Sequence, residues 1–167
     1  GHPRLVSDWS SDVCSSDLGG ENSWWFAIRL NRNYDSAGKV TVDPEILFST
    51  PAWTDELLGA VGRQQSIESS TAVFGTTAYF ANSEGRVVGI DVSDVRSGSA
   101  EVVFDFWMGD DVDSTIVIDP QGMLYVAAEV DLATSRSREV GQLVIVGGEH
   151  RPRADLFVQV LDDGPGQ

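Results

Sequence analysis

Hydrophobic residues in this chain come in short runs separated by Gly, Asn, Asp and Ser, and no stretch keeps a helical period for three turns. Runs of this kind, rich in Val, Ile, Phe, Tyr and Trp and bounded by turn residues, predict β-strands. Ten are predicted: Trp24 to Leu30, Glu45 to Thr50, Thr71 to Phe74, Ala78 to Ala81, Arg86 to Val92, Glu101 to Trp107, Ser114 to Ile118, Leu124 to Ala128, Gln142 to Val146 and Asp155 to Val160. Thr54 to Val61 has room for one or two helical turns inside a loop. The expected fold class is all-β.

The strands repeat. Ser70-Thr71-Ala72-Val73 corresponds to Ser114-Thr115-Ile116-Val117 at a spacing of 44, and Ala78-Tyr79-Phe80-Ala81 to Leu124-Tyr125-Val126-Ala127 at 46. Glu45-Ile46-Leu47-Phe48 corresponds to Glu101-Val102-Val103-Phe104 at 56, and loosely to Asp155-Leu156-Phe157. Trp25-Phe26-Ala27-Ile28 matches Val87-Val88-Gly89-Ile90, and Leu143-Val144-Ile145-Val146 fills the same slot later. With the strands of one unit called a, b, c and d, the chain reads c, d, then a to d twice. Four short antiparallel strands at a period in the forties predict β-propeller blades. A self-contained β-sandwich of ten strands is the alternative. A closed propeller takes about four to eight blades, and this chain supplies about two and a half, so it is expected to be a partial propeller.

The front of the chain is a different matter. Asp8-Trp9-Ser10-Ser11-Asp12-Val13-Cys14-Ser15-Ser16-Asp17-Leu18 resembles a common sequencing adapter translated in one frame, so residues 1–18 are expected to be adapter-derived and are excluded from fold reasoning. A Ser/Asp-rich linker is the alternative. The expected division is then 19–50 as the end of one blade, 51–69 as an inter-blade loop, 70–107 as a second blade and 108–161 as a third, within a propeller domain spanning 19–167. The one cysteine, Cys14, falls in the excluded segment, which removes thiol and disulfide chemistry. The charge does not depend on that segment: the full chain has 11 basic and 26 acidic residues, and residues 19–167 keep 10 and 23, a net charge of −13. Acid in that excess disfavours nucleic acid, whose phosphates need clustered Lys and Arg. No apolar run reaches the roughly 18 residues of a membrane helix, so no transmembrane segment is expected.

The middle unit carries a family resemblance. Ala78-Tyr79-Phe80-Ala81-Asn82-Ser83-Glu84-Gly85-Arg86-Val87-Val88-Gly89-Ile90-Asp91 resembles the repeat of the PQQ-like (quinoprotein) β-propeller superfamily. Val103-Phe104-Asp105-Phe106, followed by Gly109 and Ser114, is similar to that family's d strand leading into the next a strand, and Asp119-Pro120-Gln121-Gly122-Met123-Leu124-Tyr125-Val126 to its a-to-b hairpin. The resemblance covers about Trp24 to Val160 and implies an extracytoplasmic protein, periplasmic or secreted. Some members are alcohol or sugar dehydrogenases holding pyrroloquinoline quinone with calcium or a lanthanide. Others, such as the outer-membrane assembly lipoproteins, are noncatalytic binding platforms, and these predict a lipidated cysteine upstream of Gly19. The cysteine pair that clamps the quinone has no counterpart in residues 19–167, and Phe104 and Phe106 stand where the repeat usually has Trp. Quinone and calcium are thus implied by resemblance alone. The expected function is a noncatalytic binding or scaffold propeller, with a fragment of a quinone-dependent dehydrogenase as the alternative.

Antiparallel order places the d-to-a and b-to-c connections on one rim and the a-to-b and c-to-d connections on the other. The long segments 51–69 and 129–141 therefore share a rim with the acidic loop Gly109-Asp110-Asp111-Val112-Asp113, and that loop-rich rim is the expected ligand face for a protein or small molecule. Asp110, Asp111 and Asp113 are oxygen donors that could gather calcium, or else a solvated loop with a carboxylate on the turn backbone. Arg136-Ser137-Arg138-Glu139 is the densest basic point of the chain and could meet an anionic ligand on the loop-rich rim, or else pair with Glu129, Asp131 or Glu139 to order a long loop. Of the tryptophans, Trp24 and Trp25 are adjacent in a strand, so one should face the core and the other outward. Tyr125 is expected in the core, and His150 lies beside Arg151 without a catalytic constellation around it.

Overall fold

In a computed structural model the chain is described over residues 23–61 and 65–147 and for the backbone of 159–160. The adapter-like segment, His150 and residues 155–158 of the last predicted strand lie outside the described residues. All ten predicted strands have a counterpart. β1 (Trp24–Arg29) pairs with β4 (Glu45–Pro51); β5 (Ala72–Phe74), β6 (Thr77–Ala81), β7 (Arg86–Asp91) and β8 (Glu101–Trp107) form one antiparallel sheet in chain order; β9 (Val117–Ile118), β10 (Met123–Ala127), β11 (Leu143–Gly147) and β12 (Gln159–Val160) form another. The all-β expectation therefore holds, with strand order c-d, a-b-c-d, a-b-c-d.

Two elements depart from the sequence reading. Residues 30–44 carry a hairpin of their own, β2 (Asn33–Tyr34) with β3 (Val40–Thr41), too short for an alternation to be visible. Besides α1 (Asp55–Val61) at the anticipated place, there is a second helix, α2 (Ser135–Val140). Both helices are capped by threonine hydroxyls: Thr54 Oγ1 accepts from the Leu57 N–H at 3.1 Å, and Thr134 Oγ1 from the Ser137 N–H at 3.1 Å. At less than two turns, α2 could not show a period.

The stack follows from strand alternation. In β6 all five residues are buried, because both faces of the middle sheet are covered. Ala78 and Phe80, with Val88 and Ile90 of β7, face the β1–β4 hairpin and meet Trp25 and Ala27. Tyr79, Ala81 and Val87, with Phe104 and Phe106, face the last sheet and meet Leu124, Val126, Val144 and Val146. Trp25 lies parallel to Phe80 at 6.0 Å between ring centroids, and its indole N–H donates to Thr71 Oγ1 at 3.1 Å. Trp24 points the other way and is exposed. Gly89 admits the Tyr79 ring: a Cβ there would sit 2.7 Å from Tyr79 Cε1. In β10, alternation sends Leu124 and Val126 inward and leaves Tyr125 half-buried on the far face, its hydroxyl donating to Asp119 Oδ2 at 3.2 Å. That corrects the expectation for Tyr125.

The repeat extends to its irregularities. The β1–β4 pairing slips between Ala27 and Ile28, the β7–β8 pairing between Gly89 and Ile90, and these are equivalent positions. The bulged residues are then Leu47 and Val103, again equivalent. One turn also occurs three times. Asp35, Asn82 and Asp119 each accept, through Oδ1, the N–H groups two and four residues on, and glycine stands third in each, with φ of 79°, 77° and 82°. Asx followed by glycine at this spacing is a turn with a mechanism: the side chain copies a backbone acceptor and the glycine takes the left-handed conformation.

Leu124→Ala is expected to cost about 2–5 kcal/mol in urea denaturation, as a buried leucine truncation does, whereas Tyr125→Phe, which removes only a half-exposed hydroxyl, stays within about 0.5 kcal/mol of the parent.

Candidate functional site

Contacts between connections sort them onto two rims. On one, Gly122 of the β9–β10 turn abuts Phe74 at the β5–β6 turn, and Arg29 at the end of β1 donates to the Arg96 carbonyl at 3.1 Å. The β2–β3 hairpin springs from this rim too, so long connections are not confined to the other. Among the described residues, the opposite rim joins 51–61, 65–69, 82–85, 108–116 and 128–142, and it carries the candidate residues.

Two buried Asx residues hold that rim together. Asn82 spends Oδ1 on its own turn, which leaves its amide N–H groups free to donate to the Ala52 carbonyl at 2.7 Å and to Gln65 Oε1 at 2.8 Å. An aspartate could close the same turn but could not make those two bonds. Asp110 does the equivalent for the next connection. Its Oδ1 accepts from the N–H groups of Asp111 at 3.1 Å, Asp131 at 2.9 Å and Leu132 at 2.7 Å, and its Oδ2 from that of Ala133 at 3.0 Å. Burial opposes ionisation of this carboxyl, but the four backbone donors outweigh it and hold its pKa below the ordinary aspartate value. The two staples touch: Met108 donates to the Gly85 carbonyl at 2.7 Å, and a Cβ on Gly85 would collide with the Asp110 backbone.

Residues 129–141 are fixed by further bonds. Glu129 N–H donates to the Asp111 carbonyl at 2.8 Å, and Thr134 Oγ1, besides capping α2, donates to the Gly109 carbonyl at 2.6 Å. Gly109 has φ of 89°, and a Cβ there would sit 2.7 Å from Arg136 Cβ, so the loop lies directly on the chain. Arg136 donates through Nε to the Trp107 carbonyl at 3.0 Å, places its guanidinium 5.5 Å from the Phe106 ring centroid and pairs with Glu139 at 3.6 Å. Arg138 donates to the Ala133 carbonyl at 2.9 Å. The exposed charged residues of this segment are Glu129, Asp131, Arg138 and Glu139.

The acidic loop therefore divides. Asp110 is buried and its oxygens are occupied by backbone donors; Asp111 is half-buried; Asp113 is exposed. Among the described residues no three His, Cys, Asp or Glu side chains gather where they could hold a metal ion. Of the residues singled out from sequence, the structure brings Asp110 and Arg136 into one bonded unit with 129–141, and it leaves Asp113 outside that unit. Sequence reasoning did not find Asn82, Gly85 or Thr134. The Asx-x-x-Gly spacing at 82–85 was the available signal for the first two, and Thr134 two residues before the Arg136-Ser137-Arg138 run was a readable N-cap. Of the tryptophans, Trp25 is core and the Trp107 indole donates to the Glu84 carbonyl at 2.9 Å, while Trp24 is exposed. No family model, curated protein or solved structure matches the chain.

Asp110→Ala is expected to destabilise the chain by on the order of 3 kcal/mol, as loss of a charged acceptor for several buried donors does, while Asp113→Ala stays within about 0.5 kcal/mol; paired denaturation curves read both. Because the folded-state pKa of Asp110 is lowered, its contribution is complete above the ordinary aspartate range and is lost as pH falls through the depressed value. Acid titration of stability should therefore be shallower for Asp110→Asn than for the parent at the low-pH end.

Proposed function

We propose that this chain is part of a noncatalytic binding or scaffold β-propeller of the PQQ-like repeat class, with its three stacked sheets as consecutive blades. The observation that carries the binding role is the rim where Ala52 and Gln65 are bonded to Asn82 and residues 131–133 to Asp110. Connections held on a rigid scaffold give a ligand a surface with little ordering left to do. That rim offers exposed charges of both signs, Glu129, Asp131 and Glu139 together with Arg138, which suits a polar protein surface or a small polar ligand. The net charge of −15 favours solubility and works against anionic partners. By the same resemblance the protein works outside the cytoplasm.

The noncatalytic role draws on the use already made of the polar side chains. Asp110 and Arg136, the chemically most suggestive pair, are already engaged: Asp110 accepts from loop backbone, and Arg136 donates to the Trp107 carbonyl and pairs with Glu139. A titration of pyrroloquinoline quinone and calcium into the protein expressed from its uninterrupted reading frame is the test. No stoichiometric quinone chromophore and no dye reduction with alcohols or sugars are expected; a stoichiometric chromophore with dye reduction would overturn the scaffold role in favour of a dehydrogenase.

A further inference from the structure

The strap formed by residues 129–141 is held in two different ways. At one end the Glu129 N–H donates to the Asp111 carbonyl at 2.8 Å. At the other, Thr134 Oγ1 donates to the Gly109 carbonyl at 2.6 Å, Arg136 Nε donates to the Trp107 carbonyl at 3.0 Å, and Val140 is buried in the core. Between these anchors residues 130–133 form a turn out on the rim, with Val130 67% exposed and Asp131 exposed. Three consecutive N–H groups of that turn, those of Asp131, Leu132 and Ala133, converge on the one carboxylate of Asp110. Ala133 has φ of 48°, a left-handed backbone that is unfavourable for alanine and open to glycine. Its N–H is the group that Asp110 Oδ2 accepts, at 3.0 Å, and its carbonyl accepts from Arg138 at 2.9 Å. The turn is strained, and a charge holds it down.

We propose that Asp110 is an acid-operated clasp: when its carboxylate takes up a proton, turn 130–133 lifts from the rim while the sheets and α2 stay in place. Oδ1 already accepts three N–H groups, so the proton goes to Oδ2 and sets a hydroxyl against the Ala133 N–H. The other three bonds then lose the charge that strengthened them, and the strain at Ala133 favours release. Nearby acids favour the protonated form as well: Asp111 and Asp113 share its loop, Glu129 and Asp131 flank the turn, and Glu84 lies in the 82–85 turn against its backbone. Of the strap's cations, Arg136 is bonded to the Trp107 carbonyl and paired with Glu139, and Arg138 is bonded to the Ala133 carbonyl. The four backbone donors make this carboxyl more acidic in the folded chain than in the unfolded one. The clasp is therefore closed above the ordinary aspartate range and opens as pH falls through the depressed value. It regulates a ligand face only on the binding role proposed above; amide exchange needs no ligand, so the two fail separately.

Hydrogen–deuterium exchange read by mass spectrometry, on the chain and on two variants matched to it by circular dichroism, tests the clasp. Asp110→Asn puts an N–H where Oδ2 accepted and is a neutral mimic of the acid form. At neutral pH it is expected to lose about tenfold or more in protection over 131–133 beyond any change over 143–147, the worth of a hydrogen bond to a charged acceptor. Ala133→Gly, which removes the left-handed penalty, is expected to slow exchange over 131–133 about fivefold. As the parent is taken from neutral pH down through the aspartate range, protection corrected for intrinsic rates should fall at 131–133 before it falls at 143–147, with no such step in Asp110→Asn. If Asp110→Asn does not fold, the acid series and Ala133→Gly decide. The clasp is overturned if 131–133 stay protected in Asp110→Asn, if they lose protection only together with 143–147 in that variant or in acid, or if Ala133→Gly exchanges no more slowly than the parent.

Discussion

Burial of the middle sheet on both faces constrains everything else in the molecule. A strand presents successive side chains to opposite sides, so a sheet with one wet face needs only every second position to be apolar. β5–β8 has no wet face over its central strands, and β6 and β7 must be apolar or small at both parities. Thr77-Ala78-Tyr79-Phe80-Ala81 and Val87-Val88-Gly89-Ile90 meet that demand. Size is then divided between the sides. Phe80 takes the space toward Trp25, Tyr79 takes the space toward the last sheet, and Gly89 gives up its side chain so that the Tyr79 ring and Phe104 can meet at 6.0 Å.

Such a stack leaves backbone to satisfy at the rims, where strands end and the chain passes from sheet to sheet. Asn82 and Asp110 solve this in the same way, each by reaching from its own sheet into a neighbouring connection. They differ because the groups to be satisfied differ. Around Asn82 the neighbours include both backbone donors and the Ala52 carbonyl, which calls for an amide with both kinds of atom; around Asp110 all four are N–H groups, which calls for a carboxylate. A buried aspartate in an acidic chain is tolerable on these terms, because its charge is met by dipoles held in place rather than by a counter-ion that would itself need burying.

Most of the strand pattern was legible because it rests on local rules: apolar runs of fixed length, punctuated by Gly, Asn and Asp. The order of units was legible for a further reason, that equivalent strands keep equivalent residues, as Ala78-Tyr79-Phe80-Ala81 and Leu124-Tyr125-Val126-Ala127 do. What escaped was decided by distant contacts or by elements too short to carry a period. The fate of Tyr125 depends on whether anything covers the far side of β10, and no property of the local sequence records that. The acidic loop could be narrowed to three aspartates but not resolved among them, since only the approach of Asp131, Leu132 and Ala133 separates Asp110 from Asp113. The β2–β3 hairpin and α2 span too few residues for alternation or amphipathicity to show.

The shared slip in the two c–d pairings bears on the shape of the sheets. Leu47 and Val103 are skipped at matching points, between matching neighbours. A skipped residue bends its strand and sharpens the local twist, so the two hairpins bend at the same place. Sheets whose bends coincide can lie face to face along their length, as the β1–β4 hairpin does against the middle sheet.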